Sequence, residues 1–285
     1  MPTPMQLESL TVSDGVSYYY FDSGDIPGNT YTTLVFVPGM GFNGGVFRKL
    51  FPLAAAHPSS DADLAGLVSR TVEGQEGFLR SQAVDIATFL VMFAREQHIP
   101  PAEGTSGGIA LLGWSLGSLH THAVMAHLDA LPYNVLSDLE KYLHTVVCHD
   151  VTGIFIGIPK PPSFGIEYWT EPDVEKRFKL FYEWVAGHFP HKNVTSGSID
   201  DLEFYQSSEK PHSMHELTPG EFAELTSAKT FGASDTLLVT IQQDVLKAMT
   251  RRAIFDTAWR RSPSPTTCQI HVWWNESWCY SLGVT

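Results

Sequence analysis

Basic charge is scarce in this chain. Lysine and arginine number 18 against 31 aspartates and glutamates, for a formal net charge of −13. No basic stripe is present to neutralise phosphates, which argues against a nucleic-acid partner. Cysteine is rarer still. Cys148, Cys268 and Cys279 stand at irregular spacing, as reduced thiols of a cytoplasmic protein do, and the sequons at Asn193 and Asn275 then have no expected use. No apolar run is read as a membrane span. The first residues, MPTPMQLESLTVSDG, lack the basic-then-apolar order of a signal peptide. Repeats and low-complexity tracts are absent too. These absences leave a globular chain of one large domain, or of one domain with an insertion. Its oligomeric state is not legible.

What is there reads as strands alternating with helices. LESLTV and VSYYYF, within residues 5–21, form a hairpin joined by Asp14 and Gly15, a pair suited to the positive φ of a tight turn. YTTLVFV, 31–37, is a strand buried on both faces. A glycine-rich turn follows it, then a short amphipathic helix, VFRKLFPLAAA. A long helix is predicted near 75–98, with Phe78, Ile86, Leu90 and Phe93 at helical spacing. GIALLG, 108–113, and LHTVVCHD, 143–150, are the next buried strands. This order predicts an α/β domain with a mostly parallel sheet.

From Gly153 to Asp235 the texture changes. Val174, Phe178, Phe181 and Val185 mark one face of a helix. In TPGEFAEL, Thr218 is an N-cap, Pro219 opens the first turn and Glu221 closes a capping box. Residues 155–235 are therefore expected to form a helical cap inserted into a core made of 1–154 and 236–285. A last helix at 237–254 and a last strand at 269–275, QIHVWWN, complete that core.

One stretch carries chemistry: GGIALLGWSLGSLHTHAV, 107–124, with Gly113, Ser115 and Gly117 in the order glycine-x-serine-x-glycine. The pattern alone is weak, and the flanks decide. A buried strand enters, and a helix of small and apolar residues leaves. A serine on such a turn projects its Oγ above the sheet, while the helix N-terminus aims N–H groups at a developing oxyanion. The Leu116 N–H is one expected donor. The Met40 N–H, in the turn of FVPGMGFNGGVF that Gly39 permits, is the other.

TTLVFVPGMGFNGGVF, GGIALLGWSLGS and TVVCHDVTGIFIGIPKP together resemble the α/β-hydrolases, in particular serine hydrolase-like proteins common in fungi. The resemblance covers roughly 31–161 and implies an α/β-hydrolase-like, mostly parallel sheet with a helical cap insertion. It further implies a serine hydrolase of the esterase or lactonase class, with Ser115 as nucleophile and Glu276 as the acidic member of the triad. The substrate implied is a small acyl compound with an apolar part, handled without metal or cofactor.

The chain departs from that pattern in three places. Pro38 stands where the family usually has histidine. The interval 57–74 has no β-branched run for the strand that lies between the hairpin and TTLVFV, so the sheet is expected either to split or to pair its remaining neighbours directly. Beyond Glu276 no histidine follows, and the fold is expected to be incomplete at the C-terminus. A base must then come from elsewhere. Of the insertion's histidines only His212 and His215 are candidates to hang over Ser115, and each taken singly reads as a structural or surface residue. His120 and His122 point away on the helix, and His271 reads as a strand residue. The expectation is an incomplete triad, with poor activity and marginal stability.

Two other classes compete. Gly39, Gly41 and Gly44 outline a dinucleotide-binding turn, as in a nucleotide-binding oxidoreductase, with Asp61 and Asp63 after it. The acid, however, closes no second strand. A non-catalytic hydrolase-fold binding protein is the stronger rival. No metal site is read, because His120 and His122 lie about 200° apart around their helix and no zinc spacing occurs.

Overall fold

The computed structural model describes residues 7–13, 15–22, 28, 30–47, 54–56, 65, 67–158, 170–193, 195–196, 198–204, 208–212, 214–255 and 269–273. The hairpin forms as the sequence predicts. β1 (Leu7–Ser13) pairs antiparallel with β2 (Val16–Phe21), and Gly15 holds a φ of +80° in the turn. Alternate residues of the pair, Leu10, Val16, Tyr18 and Tyr20, face the core, as a half-buried hairpin requires.

β3 (Thr33–Val37) is the first strand of the central sheet. The helix expected over VFRKLFPLAAA is not formed among the described residues. Only Gly44–Phe47 make a short 3-10 turn, and Ala54–Ala56 are a strand, β4, antiparallel to β2. The free edge of β2 explains this, since unpaired backbone groups seek a partner more strongly than three alanines hold to a helix. β4 also runs beside β3, the place of the strand for which the sequence shows no β-branched run in 57–74; residues 57–64 and 66 lie outside the described residues.

α1 (Val72–Glu96) is the long helix. Its N-cap Thr71 accepts a hydrogen bond from the Gly74 N–H at 3.1 Å. By length and hydropathy α1 is apolar enough to cross a membrane, which the sequence reading overlooked. Most of it is buried against β1, a second helix and a third. Tyr18 stacks on its Phe89 at 5.0 Å, and Tyr20 meets Phe93 edge-on at 5.2 Å. At its first turn Gln75, fully buried, accepts from the Gln242 N–H at 2.9 Å and donates to the Thr240 carbonyl at 3.3 Å.

β5 (Ile109–Trp114), α2 (Gly117–Ala126), α3 (Tyr133–Tyr142) and β6 (Leu143–His149) follow. α4 (Val174–Val185) and α5 (Pro219–Leu225) lie within the segment 155–235 that follows β6. Phe178 and Phe181 of α4 are buried, whereas Val174 is exposed, so its apolar face is narrower than the sequence suggests. α5 carries the expected capping box between Thr218 and Glu221. α6 starts at Gln243 and ends at Phe255, six residues later than predicted. Its predicted start falls in Thr236–Leu238, a separate short turn.

β7 (Gln269–Trp273) joins β6 in parallel. The described strands form two sheets, ordered β1-β2-β4 and β3-β5-β6-β7, the second wholly parallel. The split is one of the two outcomes expected of a missing strand.

Candidate active site

Ser115 sits where β5 ends and α2 begins, with φ at +52°. An L-residue held there is strained, and strain of this kind persists only where the surroundings enforce it. The enforcement is visible. A Cβ on Gly113 would lie 2.5 Å from the Gly117 carbonyl oxygen, and one on Gly117 would lie 2.2 Å from the Val37 oxygen. Both glycines are therefore required by close backbone approach. Fully buried Ser118 donates its hydroxyl back to the Gly113 carbonyl at 2.8 Å, and its N–H bonds the Ser115 carbonyl at 3.0 Å. A parallel sheet, a strained serine at the end of a central strand and a helix leaving it are now together. The fold is α/β with a parallel central sheet and a strand-turn-helix elbow.

In this α/β fold the turn after β3 packs on the serine. A Cβ on Gly39 would come within 3.2 Å of the Ser115 Cβ. The Phe42 N–H closes the turn on the Gly39 carbonyl at 3.1 Å, and Gly41, at φ +75°, takes the position that needs a positive φ. Met40 and Leu116 are both buried. Neither main-chain N–H has a hydrogen-bond acceptor among the described residues. Buried residues rarely leave a main-chain donor unused, and these two belong to the pair expected to face an oxyanion.

Residues 225–235 grip the same turn from outside. The Ser227 N–H donates to the Gly41 carbonyl at 3.0 Å, and the Asn43 N–H donates to the Leu225 carbonyl at 3.0 Å. Asn43 Nδ2 reaches the Thr226 carbonyl at 3.1 Å. The Gly41 N–H donates to Asp235 Oδ2 at 2.7 Å. The rings of Phe178, Phe181 and Phe231 close over Gly41, the nearest 2.8 Å from where its Cβ would be. Those rings and the carboxylate occupy the space beside Gly41, the middle glycine of Gly39, Gly41 and Gly44. Burial pushes the Asp235 carboxyl up to about 6, against hydrogen bonds from Gly41 and Ser234 that favour its ionised form. Nothing local in the sequence marks Asp235; it lies 194 residues from the glycine it holds.

Asp150 follows β6 at φ +53°. Burial raises its pKa, opposed by the nearby His149 and a hydrogen bond from Trp114. The histidines fall elsewhere. His122 is buried with Nδ1 2.8 Å from the Ser118 carbonyl and 3.5 Å from Cys148 Sγ, and burial lowers its pKa. His212, a candidate to hang over Ser115, makes no hydrogen bond to the serine among the described residues. Its ring packs edge-on to Tyr182 at 6.1 Å, and Tyr182 packs in turn on Phe178 and Phe222. His215 lies against His212 at 5.9 Å. Among the described residues no imidazole hydrogen-bonds Ser115 Oγ. The backbone of His271 pairs with Val147, while Glu276 lies outside the described residues. Among those described, no three His, Cys, Asp or Glu side chains gather as metal ligands.

No family model matches the chain, and no curated protein matches it. Solved structures are similar. The peroxisomal α/β-hydrolase Lpx1 of Saccharomyces cerevisiae is 10% identical, over 94% of this chain and 82% of that one, with a TM-score of 0.40. The siderophore hydrolase EstB of Aspergillus fumigatus is 13% identical over 89% and 85%, with a TM-score of 0.34. TT1662 of Thermus thermophilus is 18% identical over 56% of this chain, with a TM-score of 0.32, and the match spans only 61% of its length.

Proposed function

We propose that the chain is a serine hydrolase acting on an acyl substrate with an apolar part, an ester or a lactone. Ser115 is the nucleophile in this reading, and the Met40 and Leu116 N–H groups are the oxyanion donors. The strained φ of Ser115 against the Gly39 turn is the observation that carries it. Attack of Oγ on the substrate carbonyl carbon forms the Oγ–C bond and pushes the carbonyl electrons onto oxygen. The two N–H groups stabilise that charge without reorganising, as such donors do. The proton on Oγ must leave to a base within about 3 Å. Glu276, which follows β7, is the carboxylate proposed to orient that base. Residues 155–235 act as the cap, and its aromatic rings supply the apolar surroundings of the acyl group.

A non-catalytic binding protein of the same fold is the second reading. It is favoured by the absence of an imidazole on Ser115 Oγ among the described residues. A fluorophosphonate probe separates the two. Labelling of wild type that vanishes in Ser115→Ala supports the hydrolase, and an unlabelled, folded wild type supports the binding protein.

A further inference from the structure

We propose that Asp235 is a positioning residue for the oxyanion turn, holding the Gly41 N–H so that the adjacent Met40 N–H stays aimed at Ser115. The inference rests on the hydrolase reading. Its first ground is geometry. The 2.7 Å contact between Gly41 N and Asp235 Oδ2 has the length of a charge-assisted hydrogen bond. It is the hydrogen bond that holds the Gly41 N–H in a turn with glycine at both residues flanking Met40, while Ser227 holds the Gly41 carbonyl.

The second ground is that the carboxylate is kept at a cost. Asp235 is 7% exposed, and Ser234 Oγ donates to its other oxygen at 3.3 Å. Among the described residues no cation pairs with it. Its neighbours across the turn are the rings of Phe178, Phe181 and Phe231. A buried carboxylate without a cation is destabilising, and packing alone would be served better by an apolar side chain of the same size. The segment that carries it, Phe231–Asp235, is a wide π turn between Ala228–Thr230 and Thr236–Leu238. Such widenings cluster at functional sites because they re-aim one side chain.

The third ground is the state of the neighbouring donor. Asp235 engages Gly41 and leaves Met40 open. Without the carboxylate, the Gly41 N–H would be orphaned inside an aromatic cage, and the turn would rotate to satisfy it. That rotation swings the Gly39–Met40 peptide as well.

Three full-length variants test this: Asp235→Leu, Asp235→Ala and Asp235→Asn. Two quantities are read, the exchange rate of the Gly41 amide and the rate of fluorophosphonate labelling at Ser115. Asp235→Leu fills the site without an acceptor and is expected to fold at least as stably as wild type. Its Gly41 amide should exchange at least about tenfold faster and its labelling should slow by roughly tenfold or more, the scale of a mis-aimed oxyanion donor. Asp235→Asn keeps an acceptor and should recover most of both. For a nitrophenyl ester the loss should fall on kcat and leave KM in place. A folded Asp235→Leu or Asp235→Ala that labels at the wild-type rate with Gly41 still protected overturns the inference. If wild type itself takes no label, the hydrolase reading has failed. Gly41 exchange then decides alone: faster exchange in Asp235→Leu supports Asp235 as the clamp, and unchanged exchange overturns it.

Discussion

The Ser115 N–H donates to the carbonyl of His149 at 2.9 Å. The strained residue at the end of β5 is thereby tied to the end of β6, where Asp150 is strained in the same sense. Two of the four non-glycine residues with positive φ among those described thus lie side by side, past the C-terminal ends of the two inner strands of the sheet. Strain of this kind persists only where the surrounding structure enforces it.

Relief of that strain is measurable. Ser115→Gly should gain about 1 kcal/mol of stability by urea denaturation and lose all labelling. Ser115→Ala should lose labelling with no such gain. Equal stabilities for the two variants would mean that the backbone at 115 is not strained.

The elbow tolerates no methyl group at its first glycine. Gly113→Ala drives a Cβ onto the Gly117 carbonyl and should cost about 3 kcal/mol or more. A thermal midpoint within error of wild type would refute the close approach.

Asp235 makes stability depend on pH. Its folded pKa, about 6, lies above its ordinary value of 3.8, so the folded state binds the proton more tightly. The contribution is fully present below about pH 4 and is lost as pH rises through about 6. Burial causes the shift, and no charged side chain among the described residues adds to it. Relative to Asp235→Asn, wild type should therefore lose roughly 3 kcal/mol between those limits. Denaturation curves of both proteins at pH 4 and pH 8 check this, and a constant difference would sink it.

Gln75 provides a control remote from the serine. Gln75→Leu strands the Gln242 N–H and the Thr240 carbonyl and should cost about 2 kcal/mol. Labelling of the folded variant should be unchanged, which separates loss of stability from loss of the site.

The elbow was legible because its information is local. A β-branched and apolar run, two glycines and a helix of small residues lie within 107–124. The capping box at Thr218 is local in the same way. Ala54–Ala56 were misread because alanine favours helix in isolation, and what makes them a strand is the open edge of β2. Asp235 left no trace because its partner is a backbone N–H, which every residue but proline has. His212 could be named only from its position in the chain, because its ring contact with Tyr182 joins residues 30 apart.

The parallel pairing of β6 with β7 has a consequence for synthesis. Thr145 pairs with Gln269, so β6 is made long before its outer neighbour. Through the whole insertion and α6 the nascent chain carries a completed β6 with one edge bare. Contacts this distant in sequence are slow to form, and bare edges recruit other chains while they wait. Production of this protein should therefore be limited by association of unfinished chains, and slower elongation after residue 149 should worsen it.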